Sequence, residues 1–159
     1  MRNDPIVRQI DSAIDAHAEW KRKLYNSIDT GIAHISAATA CCDDKCALGK
    51  WLHGPQFDEA TRRGDDFRAV VNLHALFHKT AGSVLAYVER GNVSAAQFIM
   101  DGEYDFRSED LVLALVEWRA KHVDPSAPLF ATSARPGPDR DAHHHPCEEC
   151  ESLILRPAC

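Results

Sequence analysis

Apolar residues recur along residues 6–28 with the spacing of an α-helix. Successive positions of one stripe lie three or four residues apart, which places them on a single helical face. The stripe consists of Ile6, Ile10, Ala13, His17, Trp20, Leu24 and Ile28. Asp4 before Pro5 is a typical start for such a helix, and Gly31 is a typical end. We therefore predict one long helix up to about Gly31.

Three more helices are predicted beyond a loop or broken segment at 32–45. A short helix covers residues 46–53, and Gly54 and Pro55 close it. A long helix begins near Asp58 or Asp65 and runs to about Arg90, with Gly64 as a point of interruption. The last helix begins near Ser94, runs towards His122 and is weakened at Gly102. Its buried face is predicted to hold Phe98, Leu111, Leu115 and Trp118.

Strand-like alternation is not sustained anywhere in the chain, which predicts an all-α fold. Three long helices and one short helix suit an antiparallel four-helix bundle. Six of the eight prolines lie beyond Val123, where helical periodicity also ends. We therefore predict a helical bundle at 1–122 and a disordered, flexible tail at 123–159.

The charge of the chain argues against two classes of partner. With 18 basic and 24 acidic residues the net charge is −6, which disfavours nucleic acid and anionic membrane surfaces. No apolar run approaches the ~20 residues that a membrane-spanning helix needs, and the N-terminus lacks the apolar core of a secretory signal. We expect a cytoplasmic protein, in which six reduced cysteines are metal ligands, redox groups or bystanders rather than a disulfide framework.

Three histidines lie on faces that should be apolar. His17 is in the middle of the first stripe, and His74 and His78 are one helical turn apart on the buried face of the long central helix. Two neutral imidazoles at this spacing can hold one divalent cation. The alternative is that each is an ordinary core histidine that hydrogen-bonds a backbone carbonyl.

Cys46 is a candidate for a further ligand, because zinc accepts thiolate sulfur more readily than harder cations do. It begins the short helix, where the helix N-terminus and Lys45 should favour the ionised thiol. Gly49 would allow close helix approach, and Trp51 would shield the site from water. The alternative for Cys46 is a small buried apolar residue. Four protein ligands saturate tetrahedral zinc, so the pattern favours a closed, non-catalytic site.

These residues together resemble a known family. The segments that carry the resemblance are His17-x2-Trp20, Cys46-x-Leu48-Gly49-Lys50-Trp51-Leu52 and His74-x3-His78. In this order, over about residues 8–120, they resemble the chemoreceptor zinc-binding domain. The resemblance implies a four-helix bundle with one zinc ion, held by His17, Cys46, His74 and His78. It also implies homodimers that sense zinc, or reactive chlorine species through oxidation of the ligand cysteine.

The resemblance does not indicate which protein or domain receives the signal. Family members sit in soluble chemoreceptors or before diguanylate cyclases, but this sequence shows no signalling hairpin and no cyclase domain. We expect a non-enzymatic sensory module that acts in trans on a chemoreceptor or diguanylate cyclase partner. The alternative is a zinc buffer or carrier. Cys41 and Cys42 could resolve an oxidised Cys46, compete with it for metal, or be incidental.

The remaining histidines and cysteines fall into two groups. A second metal site in the tail would use His143, His144, His145, Cys147 and Cys150. The alternative is a disordered tail with little function of its own. His34, His53 and His122 have no partner at metal-site spacing in their own segments. We interpret these three as surface or packing residues.

Overall fold

The computed structural model describes residues 4–123, and the predicted tail and its His/Cys cluster lie outside these residues. Long helical segments form the frame of this region. They are α1 (Pro5–Thr30), α5 (Asp65–Glu89) and a continuous segment that joins α6 (Val93–Ile99), a π-helical turn (Met100–Tyr104) and α7 (Asp105–Val123). The prediction of an all-helical chain is confirmed, since residues 4–123 contain no strand.

Short helices connect α1 to α5. They are α2 (Ala37–Cys41), a 3-10 turn (Asp43–Lys45), α3 (Ala47–Leu52) and α4 (Glu59–Arg63). The predicted count of four helices is therefore not confirmed, because α2 and α4 were not foreseen as separate elements. Gly64 does interrupt the chain between α4 and α5.

Both ends of α1 follow the local chemistry of the sequence. The Asp4 carboxylate accepts a hydrogen bond from the Ile6 backbone N–H, and Pro5 occupies the first helical position, where it forfeits no hydrogen bond. Gly31 ends the helix with φ +69°, a left-handed conformation that glycine adopts without steric cost. Side chains between these ends bury one stripe, as the spacing predicts, with Ile10, Leu24 and His17 inside.

Helix α2 is held tightly against α5. Gly82 of α5 has no room for a side chain, since a Cβ there would lie 2.9 Å from the Cβ of Cys41 and 3.1 Å from the Ala37 carbonyl oxygen. The Glu89 carboxylate accepts a hydrogen bond of 2.8 Å from the Ala37 backbone N–H. These contacts bring the C-terminal part of α2 next to the histidines of α5.

The buried face of the last helical segment differs from the predicted one. Ala96, Met100 and Tyr104 are fully buried and follow each other at intervals of four. Phe98 lies two residues from both Ala96 and Met100, so it points away from the core and is 82% exposed. The prediction that Phe98 is buried was therefore wrong, whereas Leu111, Leu115 and Trp118 are buried as predicted.

Ion pairs join the long helices at the surface. Arg119 of α7 contacts Asp11 of α1 at 2.6 Å, and Lys21 of α1 contacts Asp105 of α7 at 2.7 Å. Since all four side chains are partly exposed, each pair contributes at most about 1 kcal/mol. They orient α1 and α7 around the buried core that holds the three histidines.

Candidate metal centre

Cys46 is placed by its role as the N-cap of α3. Its backbone is extended (φ −79°, ψ 167°), and its sulfur accepts a hydrogen bond of 3.2 Å from the Gly49 backbone N–H. Gly49 is needed for this geometry, because a Cβ there would lie only 1.7 Å from the Asp43 carbonyl oxygen. The close approach predicted for Gly49 therefore exists, but its partner is the backbone of the 3-10 turn.

His74 and His78 project side by side from α5. Each is only 2% exposed, and their ring centroids are 4.6 Å apart. Nε2 of His74 lies 3.2 Å from the Cys46 sulfur. The donor atoms of Cys46, His74 and His78 all lie within 4.8 Å of one another. We call these three residues the Cys-His cluster.

The tautomer of His78 follows from its backbone partner. Its Nδ1 lies 2.6 Å from the carbonyl oxygen of Ala40 on α2, and a carbonyl oxygen can only accept a hydrogen bond. Nδ1 therefore carries the proton, which leaves the lone pair of Nε2 for another partner. A backbone carbonyl is a common partner for the second nitrogen of a metal-binding histidine.

His17 lies beside the Cys-His cluster but is not part of it. It lines the same cavity of about 170 Å³, and its ring packs against Phe77 with centroids 4.0 Å apart. Its Nε2, however, lies 2.8 Å from the hydroxyl oxygen of Ser108 on α7. The structure thus brings together three of the four predicted ligands and places the fourth at the cavity wall.

Trp20, rather than Trp51, is the indole at this cavity. Trp20 lines it and meets the His78 ring edge to face, with centroids 5.4 Å apart. Trp51 packs in an aromatic group with Phe57 and Trp118, at 4.9 and 5.6 Å between centroids. The prediction that Trp51 covers the site was wrong, because α3 turns that side chain towards α7.

Burial sets the protonation of these groups. It lowers the pKa of His17 to about 4, with smaller contributions from His78 and Lys21. It lowers the pKa of His74 to about 2 and also lowers that of His78. All three imidazoles are therefore neutral at pH 7, as a metal ligand must be.

Cys46 behaves differently from the prediction that its thiol is easily ionised. Burial raises the pKa of the Cys46 thiol, Asp43 adds to the rise, and the hydrogen bond from Gly49 N–H opposes it. Lys45 does not compensate, because its exposed ammonium group pairs with Asp44 at 3.7 Å. A cation that binds here must displace the thiol proton.

Comparison with known protein families finds a match in this region. Residues 17–85 match the family model described as the chemoreceptor zinc-binding domain. This match confirms the resemblance predicted from the sequence over these residues. The matched segment begins at His17, ends at Leu85 and includes all four predicted ligands. No curated protein and no solved structure matches the chain.

The donor set of the Cys-His cluster fits zinc. A thiol sulfur and two imidazoles are ligands that zinc prefers, whereas calcium and magnesium take oxygen. Nδ1 of His74 is buried and has no hydrogen-bond partner among the described residues. A buried imidazole nitrogen without a partner costs free energy in a protein core. The packing around His74 therefore leaves one ring nitrogen without the partner that it needs.

The other candidate residues of the domain lie elsewhere. His53 faces the Asp43 carboxylate at 3.4 Å, and His34 is exposed on the loop after α1. Cys41 and Cys42 are disulfide-bonded, so the expectation that all six cysteines are reduced was wrong for these two, and Cys46 is the free cysteine of the described region. The proposed resolving or competing role of Cys41 and Cys42 remains a prediction, which would first require opening of those bonds.

His122 lies on α7 near the start of α1, at 3.6 Å from the Asp4 carboxylate. His143, His144, His145, Cys147 and Cys150 lie outside the described residues. Among residues 4–123, no helix is long and apolar enough to cross a bilayer.

Ser108 and the Ala40 carbonyl were not predicted from the sequence, because no periodicity or motif connects either of them to a histidine far away in the chain.

Proposed function

We propose that this domain is a non-enzymatic zinc-responsive regulatory module that binds one zinc ion through His17, Cys46, His74 and His78. The observation that carries the proposal is the buried Cys-His cluster inside a chemoreceptor zinc-binding domain. When bound, zinc would supply a cross-link between the start of α3, α5 and α1. Four protein ligands would leave no position for a reactive water, which supports a regulatory rather than a hydrolytic role.

Two inputs are compatible with this ligand set. A change in zinc concentration alters occupancy directly. Oxidation of Cys46 to a sulfenic acid removes the thiolate that zinc requires, so it lowers occupancy at constant zinc. Cys46 is partly exposed, which leaves its sulfur open to a small oxidant. We propose that either change alters the packing of α3 against α5.

The family supports a signalling output. We propose that the change in packing is read by a partner in chemotaxis or cyclic-di-GMP signalling, and that the domain acts as a cytoplasmic homodimer. A pull-down of the zinc-loaded and the metal-stripped protein from lysate, compared by mass spectrometry, identifies such partners. Cross-linking at micromolar concentration tests the dimer.

The deciding experiment is a metal count with a matched control. The full chain should bind zinc through the core site, and Cys46→Ser should lower the affinity at least about 100-fold, since even residues that only support ligands contribute 10- to 100-fold. His34→Ala, which removes an exposed imidazole, should leave the affinity unchanged. Equal affinity in the Cys46→Ser and wild-type proteins would contradict the assignment.

The same metal count distinguishes a zinc buffer or carrier from the regulatory module. It is repeated with the histidines of 143–145 replaced by Ala and Cys147 and Cys150 replaced by Ser. One zinc in both proteins supports the regulatory module alone. A second zinc that is lost with these replacements would favour a carrier in which core and tail exchange metal.

A further inference from the structure

The hydrogen bond between His17 and Ser108 involves a nitrogen that a metal site would need. Ser108 belongs to α7, and its hydroxyl oxygen lies 2.8 Å from Nε2 of His17, 91 residues earlier in the chain. A ring nitrogen that accepts a hydrogen bond has its lone pair occupied, and one that donates has no free lone pair. In either tautomer, Nε2 cannot bind a cation while it is bonded to Ser108.

The second nitrogen of His17 does not complete the site in this arrangement. Donor atoms around tetrahedral zinc lie roughly 3.3–3.6 Å apart, given bond lengths of about 2.0–2.3 Å. Neither ring nitrogen of His17 belongs to the group of donors that lie within 4.8 Å of one another. If Ser108 oriented His17 as a ligand, Nδ1 would already lie with those donors. In this arrangement the polar contact of His17 is therefore Ser108, and its ring does not occupy the position of a fourth ligand.

We propose that Ser108 competes with the metal for His17, so that four-ligand binding requires His17 to exchange its hydrogen bond with Ser108 for the metal. The inference rests on the proposed zinc-binding function. Helix α7 carries no predicted ligand. Under this proposal its Ser108 contacts His17 only when His17 is not a zinc ligand. The ion pairs Lys21–Asp105 and Arg119–Asp11 join α1 and α7 on either side of this contact along the helices.

The test is the zinc affinity of Ser108→Ala in the full chain, with the His and Cys residues of 143–150 replaced so that only core metal is counted. Chelator competition gives the dissociation constant. Removal of a competing hydrogen bond should tighten binding about threefold to tenfold. Ser108→Thr keeps the hydroxyl and should bind like the parent protein. Ser83→Ala, which removes a hydroxyl bonded to the Lys79 carbonyl, is the matched control.

A second readout does not depend on affinity. The ¹⁵N chemical shifts of the His17 ring report which nitrogen carries a proton or a metal. In the parent protein, zinc should change the Nε2 environment from hydrogen-bonded to coordinated. In metal-free Ser108→Ala, the chemical shift of the same nitrogen should already differ from its value in the metal-free parent protein. Circular dichroism melts of each variant confirm that it is folded.

Each outcome decides the proposal. Weaker binding in Ser108→Ala would overturn it and make Ser108 a residue that orients His17 as a ligand. Unchanged binding would also overturn it and make the contact purely structural. Absence of core zinc from the parent protein and all variants would overturn the proposed function itself, which the other two outcomes leave intact.

Discussion

Mild acid should destabilise the metal-free domain through its buried histidines. Burial lowers the pKa of His17 to about 4 and that of His74 to about 2, whereas both ionise near 6.5 when unfolded. Below pH 6.5 the unfolded chain therefore binds more protons than the folded one. The stability associated with these imidazoles is fully present above about pH 7 and falls as the pH decreases.

The size of the effect follows from the two shifts. Each pKa unit corresponds to 1.36 kcal/mol, so by pH 5 each imidazole lowers the free energy of unfolding by about 2 kcal/mol, and the two together by about 4 kcal/mol. The total stability of a domain is typically about 5–15 kcal/mol. The loss from His17 should level off near pH 4, while the loss from His74 continues to about pH 2.

Urea denaturation of chelator-stripped protein, followed by circular dichroism from pH 7.5 to 5, measures this dependence before most carboxylates titrate. His17→Gln should reduce the loss of stability between pH 7.5 and 5 by about 2 kcal/mol, whatever its effect on absolute stability. Phe98→Ala, which changes an exposed side chain that does not titrate, should leave the slope unchanged. Constant stability between pH 7 and 5, or an equal slope in His17→Gln, would show that burial does not suppress protonation of these histidines in the folded domain.

Four substitutions test the packing by urea denaturation. Gly49→Ala should cost about 1–3 kcal/mol and weaken zinc binding in a competition assay, because the new Cβ overlaps the Asp43 carbonyl that supports the Cys46 turn. Wild-type zinc affinity in Gly49→Ala would contradict this role of the Asp43 carbonyl. Phe77→Ala should cost about 3–5 kcal/mol, whereas Phe98→Ala should change stability by less than about 0.5 kcal/mol, since the two side chains are 1% and 82% exposed. Similar losses would disprove the assigned faces. Tyr104→Phe should leave stability equal or up to about 1 kcal/mol higher, because its buried hydroxyl has no partner among the described residues, and a clear loss would reveal one.

Helix formation in this protein is predictable where the signals are local. The stripe on α1, the Asp4 cap and the Gly31 end depend on residues within a few positions of each other, and the structure confirms each of them. Helix α2 escaped prediction because its five residues are too few for a periodic pattern. It is stabilised by α5 through Glu89 and the close approach at Gly82.

The error at Phe98 has a similar origin. A single aromatic residue in a short helix does not define a face, and the buried positions were decided by how α6 and the π-helical turn pack on α5. Ala96, Met100 and Tyr104 fill that space. Hydrophobicity alone therefore predicted burial for a side chain that the fold leaves in solvent.

Residue types and local spacing predict which residues can bind a soft divalent cation and how two of them are arranged. His74 and His78 meet because residues four apart share one face of any α-helix. The packing of the helices, in contrast, places Cys46 3.2 Å from His74, 28 residues later in the chain, and brings His17 to Ser108 instead of the cluster. The physical reason is that spacing along one helix follows from backbone geometry, whereas contacts between helices depend on loop paths and on how the buried side chains pack together.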